Sequence, residues 1–268
     1  TAKTIVAGTD YQGKANTNYG DSDYYKITVP SGQSSMNVSL THLTQNDSTS
    51  DFRVQVIRYD GSGNTPEIHE FNSYDGVNSN YTIGVTANKV YYLNVYGVGT
   101  NRRGYKLRTA FGTENYELEK NNSKSTAMAI SSGVWYTGQY DGYDAESSWD
   151  INDYFIVTAS DNTMTVSFSH LSANAANSDF RIFVYNSSGT EIDRFDSENG
   201  VDGSIDFWVN QGQTYTVRVY GDYEQYKYKI KADFSNTSGE YEIEPNSTQS
   251  TAKTIVAGTD YQGKANTN

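Results

Sequence analysis

The chain has 268 residues, a formal net charge of −12 and a pI of about 4.6. An acidic surface of this kind repels phosphate backbones and anionic lipids, which argues against nucleic acid and membrane surfaces as partners. The absence of cysteine excludes disulfides, thiol catalysis and thiolate metal sites, and no apolar run is long enough for a membrane span.

Short segments of alternating apolar and polar residues follow one another along the whole chain, separated by turn signals such as Asp60-Gly61-Ser62-Gly63. Alternation with period two is typical of strands with one buried face. Strands are predicted at 24–29, 36–40, 52–57, 81–85, 90–96 and 105–109, and again at 154–157, 164–168, 180–185, 205–209, 215–220 and 226–232. A short helical turn is expected only within 123–130 and its counterpart 247–256. This pattern predicts an all-β fold of tandem antiparallel β-sandwiches.

Two levels of repetition organise the chain. Residues 1–18 and 251–268 are the same eighteen letters, TAKTIVAGTDYQGKANTN, which indicates a piece of a longer tandem array. Within that long period, residues 36–57 align with 164–185, and 116–127 align with 241–252. We therefore expect a β-sandwich over 1–112 that lacks its opening segment, a complete one over 113–238, and the opening segment of a next repeat over 239–268.

Five motifs occur in the same order in both copies: an opening E-x-E-x-N-[ST]-x-x-x-A, a glycine after a tyrosine, D-x-x-D-Y or D-x-D-Y-Y, then S-D-F-R, and a closing V-Y-G. In this order they resemble the bacterial pre-peptidase C-terminal (PPC) domain, a group that includes the collagen-binding domains of clostridial collagenases. The resemblance implies a jelly-roll-like β-sandwich that serves as a secreted accessory module without catalytic activity.

In calcium-binding members of that family, the opening acidic segment and the aspartate-rich loop converge on Ca²⁺. The resemblance implies, for the second domain, the ligands Glu117, Glu119, Asn121, Asp150 and Asp153. The residue types fit this chemistry independently, because Ca²⁺ takes 6–8 oxygen ligands and alternate residues of an extended strand share a face. A second site would form only across a repeat junction, from Glu242, Glu244 and Asn246 with Asp21 and Asp23.

Other repeated polar residues have a structural interpretation. His42 and His170 stand at equivalent strand ends with no recurring serine–aspartate constellation around them, so we expect them to be structural. In the repeated Asp-Phe-Arg of 51–53 and 179–181, we expect the aspartate to accept from nearby backbone N–H groups and the arginine to pair with a neighbouring acid. Paired carboxylates also serve glycosidases, but here they match a metal pattern better.

Alternation places some tyrosines on the outer face of their strands. Tyr92, Tyr96 and Tyr220 could form a binding surface, as strand tyrosines do in the collagen-binding relatives. Cross-strand tyrosine pairs equally stabilise an exposed sheet without any ligand.

The favoured hypothesis is a non-catalytic structural repeat of a long extracellular surface or fibre protein, whose β-sandwiches are linked and rigidified by Ca²⁺. Neighbouring repeats or chains would complete one another head-to-tail. The alternative is an adhesive module that binds collagen-like protein or polysaccharide through the exposed tyrosines. No nucleophile and base recur together in the sequence, so we expect no enzymatic activity.

Overall fold

The computed structural model describes residues 2–15, 21–44, 51–59, 61, 67–98, 103–139, 142–143, 149–150, 152–171, 179–221 and 227–263. These residues are nearly all in β-strands and turns, with a 3-10 turn at Lys124–Thr126, so the predicted all-β fold of tandem sandwiches is confirmed. They form two compact units, one over 1–120 with 143–148 and the other over 121–142 with 149–268. No described helix is long and apolar enough to cross a bilayer.

The first unit consists of two packed sheets. Its strands are β1 Lys3–Thr4, β2 Tyr11–Ala15, β3 Ser22–Thr28, β4 Ser35–His42, β5 Asp51–Tyr59, β6 Glu67–Ser73, β7 Ser79–Gly84, β8 Val90–Val98 and β9 Arg103–Gly112. One sheet has the order β1-β3-β8-β5-β6 and the other β2-β9-β4-β7. β1 runs parallel to β3, whereas β3 and β8 are antiparallel. The inward side chains of both sheets form one core, in which the largest fully buried ones are Phe52, Tyr91 and Tyr105.

The second unit repeats this topology. Its strands are β10 Met128–Ala129, β11 Tyr136–Gln139, β12 Gly142–Tyr143, β13 Trp149–Asp150, β14 Asn152–Thr158, β15 Thr163–His170, β16 Phe180–Tyr185, β17 Glu191–Ser197, β18 Gly203–Trp208, β19 Thr214–Gly221 and β20 Lys227–Ser235. The sheet orders, β10-β14-β19-β16-β17 and β11-β20-β15-β18, correspond strand by strand to those of the first unit. The ribbon β12–β13 is additional and lies in the longer loop before β14.

The C-terminal residues contain a third, partial copy of the opening elements. β21 Glu240–Tyr241 pairs in parallel with β22 Tyr261–Gln262. By sequence, β22 is the counterpart of the beginning of β2 and β11, which pair antiparallel with β9 and β20 respectively. The identical residues Tyr11–Gln12 and Tyr261–Gln262 therefore pair with different strands, β9 and β21 respectively.

The predicted central strands are confirmed, although Tyr226, at the start of the last one, lies outside the described residues. The expected turn within 123–130 is the 3-10 turn. The edge strands β1, β2, β6, β10, β11 and β17 were not predicted. Asn94 alternates with the core residues Leu93 and Val95 of β8, and its amide donates to the Gln55 side chain at 2.8 Å; the residue is nevertheless buried.

The interpretation of the two Asp-Phe-Arg motifs is confirmed. Asp51 Oδ1 accepts a hydrogen bond from the Asp75 backbone N–H, and Asp179 Oδ1 accepts one from Asn199, both at 2.8 Å. The arginines pair with acids on the neighbouring strand: Arg53 lies 3.3 Å from Glu70 and Arg181 lies 2.7 Å from Asp196. Both motifs therefore hold loops and edge strands in place.

The equivalent histidines are structural as expected. His170 Nε2 lies 2.8 Å from Ser197 Oγ, and His42 Nε2 lies 2.7 Å from Ser73 Oγ. Each serine hydroxyl donates to a backbone carbonyl four residues on, so each ring nitrogen must donate to the serine. Burial lowers the pKa of His170, which favours the neutral imidazole that this arrangement uses.

Candidate metal centre

Residues 113–121, here called the connecting segment, begin at the C-terminal end of β9. Glu114 anchors this start: its backbone carbonyl accepts from Ser34 Oγ at 2.9 Å and its carboxylate accepts from Ser35 Oγ at 2.8 Å. Hydrogen bonds from its own backbone N–H and from Ser35 lower the pKa of the Glu114 carboxyl. The segment thus leaves the sheet along a defined path.

Two further contacts fix the backbone of the connecting segment. It passes so close to Gly84 that a Cβ at this position would lie 2.8 Å from the Glu117 carbonyl carbon and would overlap its oxygen. Arg58 Nη1 donates to the Glu119 carbonyl oxygen at 3.1 Å. The peptide bond between Glu119 and Lys120 is cis. These contacts involve the backbone of the segment and not the carboxylates of its glutamates.

Three of the predicted ligands form one group of carboxylates. Glu117, Glu119 and Asp153 each offer a carboxylate oxygen, and these oxygens lie within 4.8 Å of one another. All three residues are buried, with exposed fractions of 4%, 9% and 1%. Their neighbour Asn121 is fully buried, and its backbone carbonyl accepts a hydrogen bond from the Tyr154 N–H at 2.9 Å. The segment is therefore held beside the residue that follows Asp153.

The fifth predicted ligand, Asp150, is described only in part. The backbone of Asp150 belongs to β13, next to the start of β14, while its side chain lies outside the described residues.

A buried tyrosine that the sequence did not single out orients Asp153. The hydroxyl of Tyr228, on β20, donates to Asp153 Oδ2 at 2.5 Å, and the ring is fully buried. The ring lies against Gly138, where any Cβ would overlap it. The glycine of the tyrosine–glycine motif therefore has a physical role. It leaves room for the Tyr228 ring.

The first unit contains the same arrangement without the acidic segment. Tyr105 donates to Asp23 Oδ2 at 2.6 Å and packs on Gly13, as Tyr228 does on Gly138. Tyr25 Oη lies 2.8 Å from Tyr105 Oη. Burial, followed by the hydrogen bond with Asp23, raises the pKa of the Tyr105 hydroxyl far above its usual value, so this hydroxyl remains a donor. Asp23 is therefore the structural counterpart of Asp153.

If the three carboxylates hold a cation, Tyr228→Phe is expected to weaken its binding by roughly 10–100-fold, since removing a group that orients a ligand has this effect at metal sites. The phenyl ring keeps the packing, so the loss should appear in the binding constant measured by calorimetry. Tyr105→Phe is the matched control, because it removes the equivalent bond at Asp23 and leaves Asp153 unchanged. Equal affinity of the wild type and Tyr228→Phe would contradict this role.

The residues predicted for the second site are only partly assembled. Asn246 donates from its backbone N–H to Glu244 Oε2 at 2.7 Å and from its side-chain amide to Glu242 Oε2 at 2.9 Å. Asp23 lies on β3 and Asp21 just before it. Among the described acidic and histidine residues, no group that includes either aspartate meets the spacing found around Asp153.

The three tyrosines predicted as a binding surface have different surroundings. Tyr96 donates to Glu70 Oε2 at 3.1 Å. The Arg218 guanidinium lies over the Tyr220 ring, with Cζ 5.1 Å from the ring centre. Tyr92 packs edge-on against Tyr59 and lines a cavity in the first unit. Each ring is half-buried, so none is a fully exposed platform.

No protein-family model and no curated protein sequence matches this chain. Among solved structures, it is similar to CorA, a surface-associated copper-binding protein of Methylomicrobium album BG8, with a TM-score of 0.34 and 8% identity over 42% of this chain and 98% of that one. It is also similar to the CBM22 tandem domain of Paenibacillus barcinonensis Xyn10C, with a TM-score of 0.30 and 11% identity over 84% and 86% of the two chains. PNGase F of Flavobacterium meningosepticum gives a TM-score of 0.32 and 11% identity over 86% and 98%.

Proposed function

We propose that the chain is a non-catalytic β-sandwich repeat of an extracellular surface or fibre protein, in which a divalent cation fixes the connecting segment onto β14. The observation that supports this proposal is the buried group of Glu117, Glu119 and Asp153, with carboxylate oxygens within 4.8 Å of one another. Buried charges of like sign are unfavourable unless they are paired or bind a metal. A cation of charge +2 would offset most of this repulsion.

The donor set favours Ca²⁺ over transition metals. All the ligands are carboxylate or amide oxygens, which suit hard cations, while zinc and copper sites in proteins favour histidine and cysteine. Ligands on opposite sides of a Ca²⁺ ion lie about 4.6–5.2 Å apart, given the usual bond length of about 2.3–2.6 Å. Glu117, Glu119 and Asp153 fit within that span, with Asn121 beside them as a further oxygen donor.

Binding would have a mechanical consequence for a tandem array. A connecting segment that is bound at Glu117 and Glu119 loses the conformational freedom of a free linker. The anchored start at Glu114 and the bond from Tyr154 to Asn121 leave few residues between fixed points. We therefore assign the cation a structural task, to stiffen the link between successive repeats.

Ca²⁺ is expected to raise the melting temperature of the full chain. At a free concentration of about 100 times the dissociation constant, a ligand that binds only the native state adds about 2.7 kcal/mol. Extracellular Ca²⁺ modules bind with constants of about 10⁻⁴–10⁻³ M, so about 10 mM Ca²⁺ is a suitable upper point. Scanning calorimetry in EDTA, Mg²⁺ and Ca²⁺ checks this result, and a melting temperature that ignores Ca²⁺ would refute the proposal.

The alternative, adhesion to collagen-like protein or polysaccharide, rests on one observation. Tyr24 and Tyr92 line a cavity in the first unit, and aromatic rings are common in ligand sites. Retention of such a polymer by the wild type, with loss of retention in Tyr92→Ala but not in Tyr220→Ala, would favour it.

A further inference from the structure

The outer face of the sheet β11-β20-β15-β18 in the second unit carries a row of lysines. Lys227, Lys229 and Lys231 alternate with core residues along β20, so they point away from the core. Lys231 pairs with Asp233 at 2.6 Å. None of the ion pairs within the described part of this unit includes Lys229, which is exposed. Lys229 therefore offers an ammonium group to a partner.

The strands on both sides of β20 place small hydroxyl side chains beside these lysines. Lys229 lies between Thr137 of β11 and Ser169 of β15, and Lys231 lies opposite Ser167 of β15. The three hydroxyl residues are on the outer face and are half-buried. A hydroxyl can donate and accept hydrogen bonds, and side chains this small leave room above the sheet. An extended polar polymer can therefore approach the lysines.

An exposed tryptophan borders the same row. Trp135 directly precedes β11 and is 39% exposed. Lys231 Nζ lies over its ring, 5.1 Å from the ring centre. Since Lys231 is also held by Asp233, this ammonium group and the indole have a fixed relation. Tryptophan combines a large apolar ring with a polar N–H, which is why it is common at surfaces that bind a partner.

The first unit has an acid at the place of this tryptophan. Asp10 directly precedes β2, as Trp135 directly precedes β11, and these two strands pair with the equivalent strands β9 and β20. Asp10 lies 3.3 Å from Lys106 and 3.1 Å from Arg108. The two cations on β9 are therefore paired within their own unit.

Trp135 supplies no such charge to the equivalent cations on β20. The registers of the two sheets make Lys229 the counterpart of Lys106 and Lys231 the counterpart of Arg108. The second unit thus shows an ammonium group beside an apolar ring where the first unit shows an internal ion pair. Both units have the same sheet topology, so this difference lies in the side chains and not in the fold.

We propose that this face of the second unit binds a carboxylated polysaccharide, with a sugar ring stacked on the Trp135 indole and a sugar carboxylate paired with Lys229. The C–H groups on one side of a sugar ring form an apolar surface that suits an indole, and the sugar hydroxyls suit Thr137 and Ser169. The net charge of −12 repels acidic polymers elsewhere on the chain, which restricts binding to a place where cations and a ring outweigh this repulsion.

The inference goes beyond the proposed function and does not depend on the cation at Asp153. A structural repeat would gain a point of attachment to acidic polysaccharide at the second of its two units. The first unit would lack this attachment because Asp10 neutralises the equivalent cations.

Binding of the full chain to immobilised polygalacturonate in EDTA tests this inference. EDTA removes the divalent cations on which the proposed function depends. The wild type should bind, and binding should weaken with added salt because Lys229 is exposed. Dextran offers sugar rings without carboxylates, and poly-L-glutamate offers carboxylates without sugar rings. Both should bind much more weakly than polygalacturonate.

Trp135→Asp recreates the arrangement of the first unit and should weaken binding by roughly tenfold or more, as loss of a central aromatic residue does at interfaces. Lys229→Gln should also weaken binding and should reduce its dependence on salt. Lys106→Gln is the matched control, because this counterpart is already paired with Asp10 and its loss should leave binding unchanged. Both altered side chains of the second unit are exposed, so the melting temperatures in EDTA should remain near that of the wild type.

A wild type that does not bind polygalacturonate would overturn the inference. So would equal binding of dextran or poly-L-glutamate, an affinity that neither Trp135→Asp nor Lys229→Gln lowers, or binding that only Tyr92→Ala abolishes. A chain that melts at a higher temperature in Ca²⁺ but does not bind polygalacturonate refutes this binding face alone and leaves the proposed function standing. Absence of that rise, together with binding that depends on Trp135, refutes the cation proposal alone.

Discussion

If Ca²⁺ binds at the proposed site, changing Glu117 and Glu119 together to Gln is expected to abolish the rise in melting temperature that Ca²⁺ would produce. Glutamine keeps the shape of the side chain and one carbonyl oxygen but carries no charge, so the attraction for the cation is lost. The expected loss in Ca²⁺ is the whole stabilisation by the ligand, about 2.7 kcal/mol at 100 times the dissociation constant.

In EDTA the same double variant should be more stable than the wild type. Without a cation, three buried carboxylates repel one another, and the substitutions leave only Asp153 charged. This reversal of sign between EDTA and Ca²⁺ separates a metal site from a set of acids that merely supports the fold. A variant that is less stable than the wild type in both conditions would contradict the assignment.

Glu114→Gln is the control for this experiment. It removes one negative charge from the same connecting segment, but Glu114 bonds to Ser35 and does not belong to the acidic group. The Ca²⁺-induced rise should remain at its wild-type size.

Gly84→Ala is expected to destabilise the first unit and to weaken cation binding. The added Cβ would overlap the Glu117 carbonyl oxygen and lie 2.9 Å from the carbonyl oxygen of Tyr116, so the connecting segment must move. Overpacking of this kind costs about 1–3 kcal/mol. The displacement also moves Glu117 away from the position at which its carboxylate approaches Asp153, so the dissociation constant for Ca²⁺ should rise.

Gly203→Ala provides the matched control for Gly84→Ala. Its Cβ would lie 2.8 Å from Phe195 Cε2 in the second unit, so it overpacks a glycine at a strand without displacing the connecting segment. It should lower the melting temperature in EDTA and leave the Ca²⁺ affinity unchanged. An unchanged affinity in Gly84→Ala would show that the path of the segment does not govern the site.

Alternation identified the central strands because each has one face in the core. β8, for example, buries Tyr91, Leu93 and Val95. The edge strands gave a weaker pattern: β17, Glu191–Ser197, has one neighbour in its sheet and carries charged residues. Charged residues on an edge strand protect a sheet from pairing with other chains. They also interrupt the alternation of apolar residues, so the strand is not recognised from that alternation.

The candidate site also contains residues that the sequence predicted and residues that only the structure identified. The grouping of Glu117, Glu119 and Asp153 was expected from the resemblance of the ordered motifs to PPC domains, and the structure brings their carboxylates together. The residues that position them come from distant parts of the chain. Tyr228 reaches Asp153 across 75 positions and Gly84 lies 33 positions before Glu117. Nothing in the local sequence around either residue marks these contacts.

The eighteen repeated letters separate what local sequence determines from what tertiary structure decides. Residues 2–13 and 252–263 form the same turns and the same tyrosine hydrogen bond, since these depend on residues five or fewer positions apart. Burial of Ile5 but not of Ile255 depends on sheets that only the first copy has beside it. Hydrogen bonds within a loop are local and follow the letters. Burial is a property of the surroundings, and only the folded chain supplies them.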